Sequence, residues 1–276
     1  ARALAAKCDA VFLGVPGTES MGPGALLRGA GARVLDLGPD FRLNSAELFV
    51  PYYKKPHTAP DLLSESVYGL VPFYREALGR AGLVAVPGCY PIGTLLPLRP
   101  IVESCELQCP PVIDAVSGVS GAGKTLKEQF HFAEMNENLW AYKVGEHQHI
   151  PEIEQELLNR TKVQFTPHVG PYTKGILSTI TVRPKDAVDI ETVFARFADE
   201  PFVRVLGEGR LPDLNAVRGT NFVDIGWVRD TRTGNIVILS ALDNLCGGTA
   251  GMAIQCMNIM FGLDERSGLL LGGTST

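Results

Sequence analysis

Short apolar runs bounded by glycine mark the first third of the chain: "DAVFLGV" (9–15), "ARVLDLG" (32–38) and "GLVAVPG" (82–88). Continuous runs of this length suit parallel strands buried on both faces of an open α/β sheet. Between them, "PGTESMGPG" (16–24) reads as a Gly/Pro turn and "ALLRGAG" (25–31) as a short helix stopped by glycine. "PDFRLNSAELFVPYYKKPHTAPDLL" (39–63) reads as a long loop carrying short helices. Further on the period changes. "GILSTITVRP" (175–184) alternates apolar and polar residues, the mark of a half-exposed strand, and "FVRVLGEG", "NFVDIGWVRD" and "NIVILSALD" follow as further strands. Ile190, Val193, Phe194 and Phe197 recur at helical spacing behind Asp189, an expected N-cap. "GGTAGMAIQCMNIMFGL" (247–263) predicts a final apolar helix. The pattern is α/β at the front and α+β, with a mixed or antiparallel sheet, behind.

Composition narrows the function classes. Hydrophobic residues make up 45% of the 276, charged residues 20%, and the net charge is −5. That is ordinary globular composition, with no basic footprint for nucleic acid. No apolar run approaches the roughly 20 residues of a membrane span, and the first residues lack the order of a signal peptide. Most of the six cysteines are expected to be reduced thiols in a cytoplasmic protein. Cys105-x-x-x-Cys109 has no second pair at zinc-finger spacing, so no metal is expected.

Three stretches offer chemistry. Gly118-x-x-x-x-Gly123-Lys124-Thr125 matches the phosphate loop, behind a strand-like "PVIDAV" and ahead of a helix expected in "TLKEQFHFAEM". A kinase would also need a magnesium ligand, for which Asp243 is available; the alternative is a glycine turn that lets two backbones pass. In "AVPGCYPIGTLL", Cys89 follows Pro87-Gly88 at the end of a buried strand and opens a helix. The helix start favours thiolate, and such cysteines have pKa values of about 3.5–7.5; a packed, inert Cys is the other reading. In "GEHQHIPEIEQELL", His147 and His149 alternate on an expected extended segment, and Pro151 and Glu152 open a helix. Two such histidines suit a shared metal, a base for a distant cysteine, or a surface loop.

Taken together, "DFRL", "YGL", "VPGCYP", "SGVSGAGK", "HQHIPEIEQEL", "FTPHVGPYTKGILSTI", "NFVDIG" and "DNL", in this order, resemble the N-acetyl-gamma-glutamyl-phosphate reductases of arginine biosynthesis, from about Cys8 to Gly262. In that family "SGVSGAG" serves no kinase. The resemblance implies NADP(H)-dependent reductive dephosphorylation, with Cys89 as nucleophile and His149 as acid/base. His147, Ser117, Ser120, Lys124 and Lys174 would shape the site for a small acyl-phosphate substrate. Gly14, Gly17, Gly38, Gly121 and Asn244 are the cofactor-binding candidates. The implied fold is an incomplete Rossmann-type domain (1–90 and 247–276) and an α+β catalytic and dimerisation domain with a mixed sheet (91–246), in a homodimer or homotetramer. A dinucleotide turn, G-x-x-G-x-x-G, is expected ahead of residue 1, with Gly14-x-x-Gly17 its nearest substitute here. Gly38 stands where the family has Ser, Gly247 where Lys is common, and Lys174 where Arg is frequent. The alternatives are a related aspartate or aminoadipyl acyl-phosphate reductase, or a non-catalytic remnant.

Overall fold

The computed structural model describes residues 2–123 and 125–269. The chain forms two compact units. One comprises the chain as far as Gly88 together with the segment from Thr249; the other is Cys89–Gly248.

In the first unit, α1 (Arg2–Ala5) precedes β1 (Ala10–Leu13), α2 (Met21–Gly29), β2 (Arg33–Asp36), α3 (Ala46–Tyr53), β3 (Ser66–Tyr68), α4 (Val71–Leu78) and β4 (Leu83–Ala85). The strands pair in parallel in the order β1-β2-β4-β3. Val34, Leu35, Leu83, Val84 and Ala85 are fully buried, as the continuous apolar runs require. The turn expected over 16–24 is shorter than read, because α2 begins at Met21. Pro23 falls in its first turn, where a missing N–H costs nothing. Gly24 lies under the Phe41 ring, 2.9 Å from where a Cβ would stand, so glycine here serves packing.

The second unit begins with α5 (Cys89–Ser104) and β5 (Val112–Gly118). After α6 (Phe132–Met135) and β6 (Trp140–Ala141) come α7 (His149–Glu156), β7 (Gln164–Gly170), β8 (Ile176–Val182), α8 (Ile190–Phe194), β9 (Val203–Glu208), β10 (Val223–Asp230) and β11 (Asn235–Leu242). Its mixed seven-stranded sheet runs β6-β7-β5-β8-β11-β10-β9. One face (Phe165, Ile113, Ala115, Ile180, Ile238, Ile225, Trp227) is buried, and α5 packs on β8 and β11. On the other face, Val116, Leu177, Val237 and Leu239 stay partly exposed. Asp189 caps α8 as expected, its carboxylate accepting from the N–H groups of Glu191 and Thr192.

The last helix, α9 (Gly251–Met260), belongs to the first unit and packs on α4. A π-helical turn, Cys246–Ala250, leads into it.

The helix expected over 125–135 does not form. Only a 3-10 turn at Glu128–Phe130 and the single turn of α6 appear. Leu126 is 97% and Phe132 78% exposed, so there is no apolar face to dock, and short isolated helices are marginal in water.

Candidate active site

Helix α5 aims Cys89 and is itself held by an irregularity. Pro97 lacks the N–H that would bond the Gly93 carbonyl. The Ser240 hydroxyl of β11 donates to that carbonyl instead. A Cβ on Gly93 would lie 3.0 Å from Leu242, so glycine lets the helix approach the sheet closely. Ser104 Oγ donates to the Pro100 carbonyl at 2.6 Å near the far end. Cys89 is thus the first residue of a buried helix whose N-terminal N–H groups and dipole favour negative charge. Far along the chain, Gly248 passes so close that a Cβ there would stand 3.1 Å from Cys89 Cβ.

The histidines sit differently from the expected extended segment. Gln148 is helical (φ −61°, ψ −14°) and α7 starts at His149 itself, two residues before Pro151. This turn folds the two rings together, centroids 4.7 Å apart. The His149 N–H donates to His147 Nδ1 at 3.1 Å. A neutral imidazole that accepts at Nδ1 carries its proton on Nε2. Burial, with the charge of Lys143 a smaller effect, pushes His147 down to about 3. His147 is therefore neutral at working pH and offers an Nε2–H donor. His149 Nε2 lies 4.0 Å from the carboxylate of Glu152, one turn on and fully enclosed.

Tyr90 joins these parts. Its ring meets His147, His149 and Phe165 edge-on at 5.7, 5.9 and 5.4 Å. Its hydroxyl donates to the His168 carbonyl at 2.9 Å and receives Tyr142 OH at 3.4 Å. Burial raises both phenols, Tyr142 to about 12, and the neighbouring Cys89 adds to the effect. Both therefore stay neutral. Ser117, on the buried face of β5, also interacts with Tyr90.

The phosphate-loop match has another use. The N–H groups of Gly118, Val119 and Ser120 donate to the carbonyls of Gly175, Tyr172 and Thr173 at 2.9, 2.9 and 3.1 Å. These donors tie the loop to the 172–175 segment rather than forming an open anion nest, and no long helix follows. A Cβ on Gly121 would meet Ser117 Oγ at 2.7 Å. Asn244 secures the same place: it accepts from the Gly175 N–H at 2.7 Å and donates to Ser120 Oγ at 2.9 Å. Asp243, also fully buried, accepts from the N–H groups of Gly219, Leu245 and Cys246 and makes a turn cap, not a magnesium ligand. Lys174 lies beside Cys246. Lys124 lies outside the described residues.

Of the sequence candidates, Cys89, His147, His149 and Ser117 thus gather around Tyr90, and Ser120, Gly121 and Asn244 share one hydrogen-bonded turn. Gly14, Gly17 and Gly38 belong to the other unit, at the carboxyl ends of β1 and β2. There Gly14 faces open space, while Gly38 donates its N–H to Asp36 at 3.1 Å. Tyr90, Tyr142 and Glu152 were not singled out in the sequence as site residues. Adjacency to Cys89 points to Tyr90, and i, i+3 spacing from His149 points to Glu152. For Tyr142 no local signal exists. Among the described residues no group of three or more His, Cys, Asp or Glu side chains is set to hold a metal ion, and no helix is long and apolar enough to cross a membrane.

Residues 89–244 match the family model of the semialdehyde dehydrogenase dimerisation domain. The N-acetyl-gamma-glutamyl-phosphate reductase of Desulforudis audaxviator is 45% identical over 98% of this chain and 81% of its own length. That of Symbiobacterium thermophilum is 44% identical over 97% and 80%. Among solved structures, aspartate semialdehyde dehydrogenase II from Vibrio cholerae superposes with a TM-score of 0.73 at 16% identity, covering 94% of this chain and 81% of that one. The aspartate semialdehyde dehydrogenase with NADP from Candida albicans gives 0.66 at 16%, covering 93% and 78%. These structural likenesses speak to the fold.

Proposed function

This chain belongs to the N-acetyl-gamma-glutamyl-phosphate reductase family, and we propose on that footing that it reduces N-acetyl-gamma-glutamyl phosphate to N-acetylglutamate semialdehyde, releasing phosphate. The observation that carries the reading is the convergence of a helix-initiating cysteine with a neutral His147 and a Glu152-backed His149 around one tyrosine ring. Cys89 Sγ attacks the acyl-phosphate carbonyl carbon; the C–O bond to phosphate breaks and a thioester remains on Cys89. The N–H groups at the start of α5 stabilise the developing oxyanion. The Nε2–H of His147 donates to the substrate and orients it. His149 gives a proton to the oxygen of the hemithioacetal and takes it back as the C–S bond breaks, releasing the aldehyde. The Glu152 carboxylate partners the imidazolium form in between.

NADPH, when bound, supplies the hydride for the thioester. The first unit fits such a dinucleotide. The carboxyl edge of a parallel sheet is where dinucleotides lie, and Gly14 leaves its backbone open there. Thr18, just beyond, holds a left-handed φ of 73°, strained for a β-branched residue, and its N–H is fixed by the Asp40 carboxylate at 2.6 Å. Gly14, Gly17 and Gly38 would hold the cofactor in this unit. The family description as a dimerisation domain and the partly exposed apolar sheet face support a homo-oligomer.

The test is phosphate-dependent reduction of NADP⁺, with N-acetylglutamate, aspartate and aminoadipate semialdehydes offered separately. Turnover is expected with the first, and Cys89→Ser should abolish it. Limiting iodoacetamide should label Cys89 ahead of Cys8, Cys105, Cys109, Cys246 and Cys256. Preference for another semialdehyde, or an active Ser variant, would overturn the reading.

A further inference from the structure

The segment 211–221 supplies a charge that the mechanism above does not use. Arg218 is half-buried, and its Nε is enclosed without a hydrogen-bond partner. No described carboxylate pairs with its guanidinium, which lies near the Tyr172 phenol. The backbone around it is well fixed. The Arg218 N–H donates to the Leu214 carbonyl at 3.0 Å, and the next N–H, of Gly219, donates to Asp243 at 2.8 Å. Asp243 is committed to three backbone N–H groups and caps the turn that brings Gly248 against Cys89. From the other side, Leu214 packs on Gly175, with a Cβ at Gly175 falling 2.8 Å from the leucine. Gly175 follows Lys174, whose ammonium also has no carboxylate partner among the described residues. Two cations with no carboxylate partner among the described residues therefore flank the Asn244 turn, one on each of two loops that pack together.

A buried guanidinium donor left unmade is costly, and its retention implies a partner that arrives with a ligand. The proposed substrate brings two anions, an acyl phosphate and an α-carboxylate. A planar fork matches a carboxylate in two parallel hydrogen bonds, whereas a lysine acts on phosphate as a point charge. We infer that Arg218 is a specificity-determining residue that receives the substrate's α-carboxylate, leaving Lys174 to the phosphate. This inference rests on the function proposed above.

In the phosphate-dependent direction the two anions arrive on separate molecules, so steady-state kinetics can tell them apart. Arg218→Gln should raise KM for N-acetylglutamate semialdehyde at least about 30-fold, in line with loss of hydrogen bonds to a charged group. KM for inorganic phosphate should move less than about twofold. Arg218→Lys, which keeps the charge but loses the fork, should fall between. Wild-type enzyme should discriminate against the α-carboxamide analogue, and the Gln variant should lose that discrimination. A change confined to KM for phosphate, or unchanged constants, overturns the inference. So does wild-type enzyme that handles the carboxamide as well as the carboxylate, a result that needs no variant to fold. Calorimetry of N-acetylglutamate binding to wild type and Arg218→Lys gives a readout apart from turnover. Wild type binding this ligand without turning over any semialdehyde would sink the proposed reaction; equal affinity in both proteins would sink the role of Arg218.

Discussion

His147 and His149 stand two positions apart, and the proposed mechanism gives them different work. Burial holds His147 near 3 against an ordinary 6.5, so it should not appear in a pH–rate profile. His149→Asn should lower kcat by about 10²–10⁴-fold, the usual worth of a general acid/base. His147→Asn should raise KM and leave the ionisations of the profile in place; the reverse pattern would exchange the roles. The depressed value also bears on stability. The unfolded chain binds a proton at His147 that the folded one refuses, so stability is lost as pH falls from about 6.5 toward 3. Asp36 behaves in the opposite sense. One hydroxyl, Ser20 Oγ, lies 3.1 Å from Asp36 and 2.9 Å from Asp40, all three fully buried. A single hydroxyl proton serves one of these contacts, so the other calls for a proton on a carboxyl. Burial, with repulsion from Asp40 adding, raises Asp36 to about 6 from 3.8. Stability is then full below about pH 4 and is lost as pH rises through 6. Asp36→Asn should recover up to about 3 kcal/mol at pH 8 and little at pH 4, measured by chemical denaturation at both.

At the scale of elements, α5 carries Cys89 and α7 carries His149, the proposed acid/base, and one ion cluster ties the two helices. Arg99 of α5 meets Glu156 of α7 at 3.0 Å and Glu103 of its own helix at 2.9 Å, with Arg99 and Glu156 both buried. Replacing Glu156 takes away one of the carboxylates that buried Arg99 meets and leaves it Glu103. Glu156→Leu should cost about 1–3 kcal/mol of stability and lower activity as the helices lose register, while the ionisations of the pH–rate profile remain. Urea denaturation beside the profile separates this from a direct catalytic loss. The sequence marked both helices, but not this link, because Arg99 and Glu156 are 57 residues apart.

At the scale of the molecule, the face of the second sheet opposite α5 is the place to seek a partner copy. Val116 and Leu177 are cross-strand neighbours, as are Val237 and Thr181, and Leu239 and Thr179. Their side chains share a face that is neither fully wet nor covered. Leu239→Glu should shift the protein from oligomer to monomer in sedimentation velocity, because a carboxylate in an apolar interface must be desolvated. An unchanged sedimentation coefficient would move the interface elsewhere.

Local order was legible where a residue's neighbours in sequence are also its neighbours in space. Glycine-bounded apolar runs became buried parallel strands, the alternation at 176–182 became a half-covered strand, Asp189 became a cap, and Cys89 opened its helix. The tertiary structure decided what the same residues do when distant partners compete for them. It extended α2 back to Met21, where Phe41 needs Gly24, and left 125–135 largely unwound because nothing covers Leu126 or Phe132. It spent the N–H groups of the phosphate-loop match on the 172–175 segment, and it drew His149 into a helix so that its N–H fixes the tautomer of His147. Periodicity encodes which face is buried. Which donor meets which acceptor across 50 to 150 residues depends on how the sheet and helices pack, and no local pattern carries that.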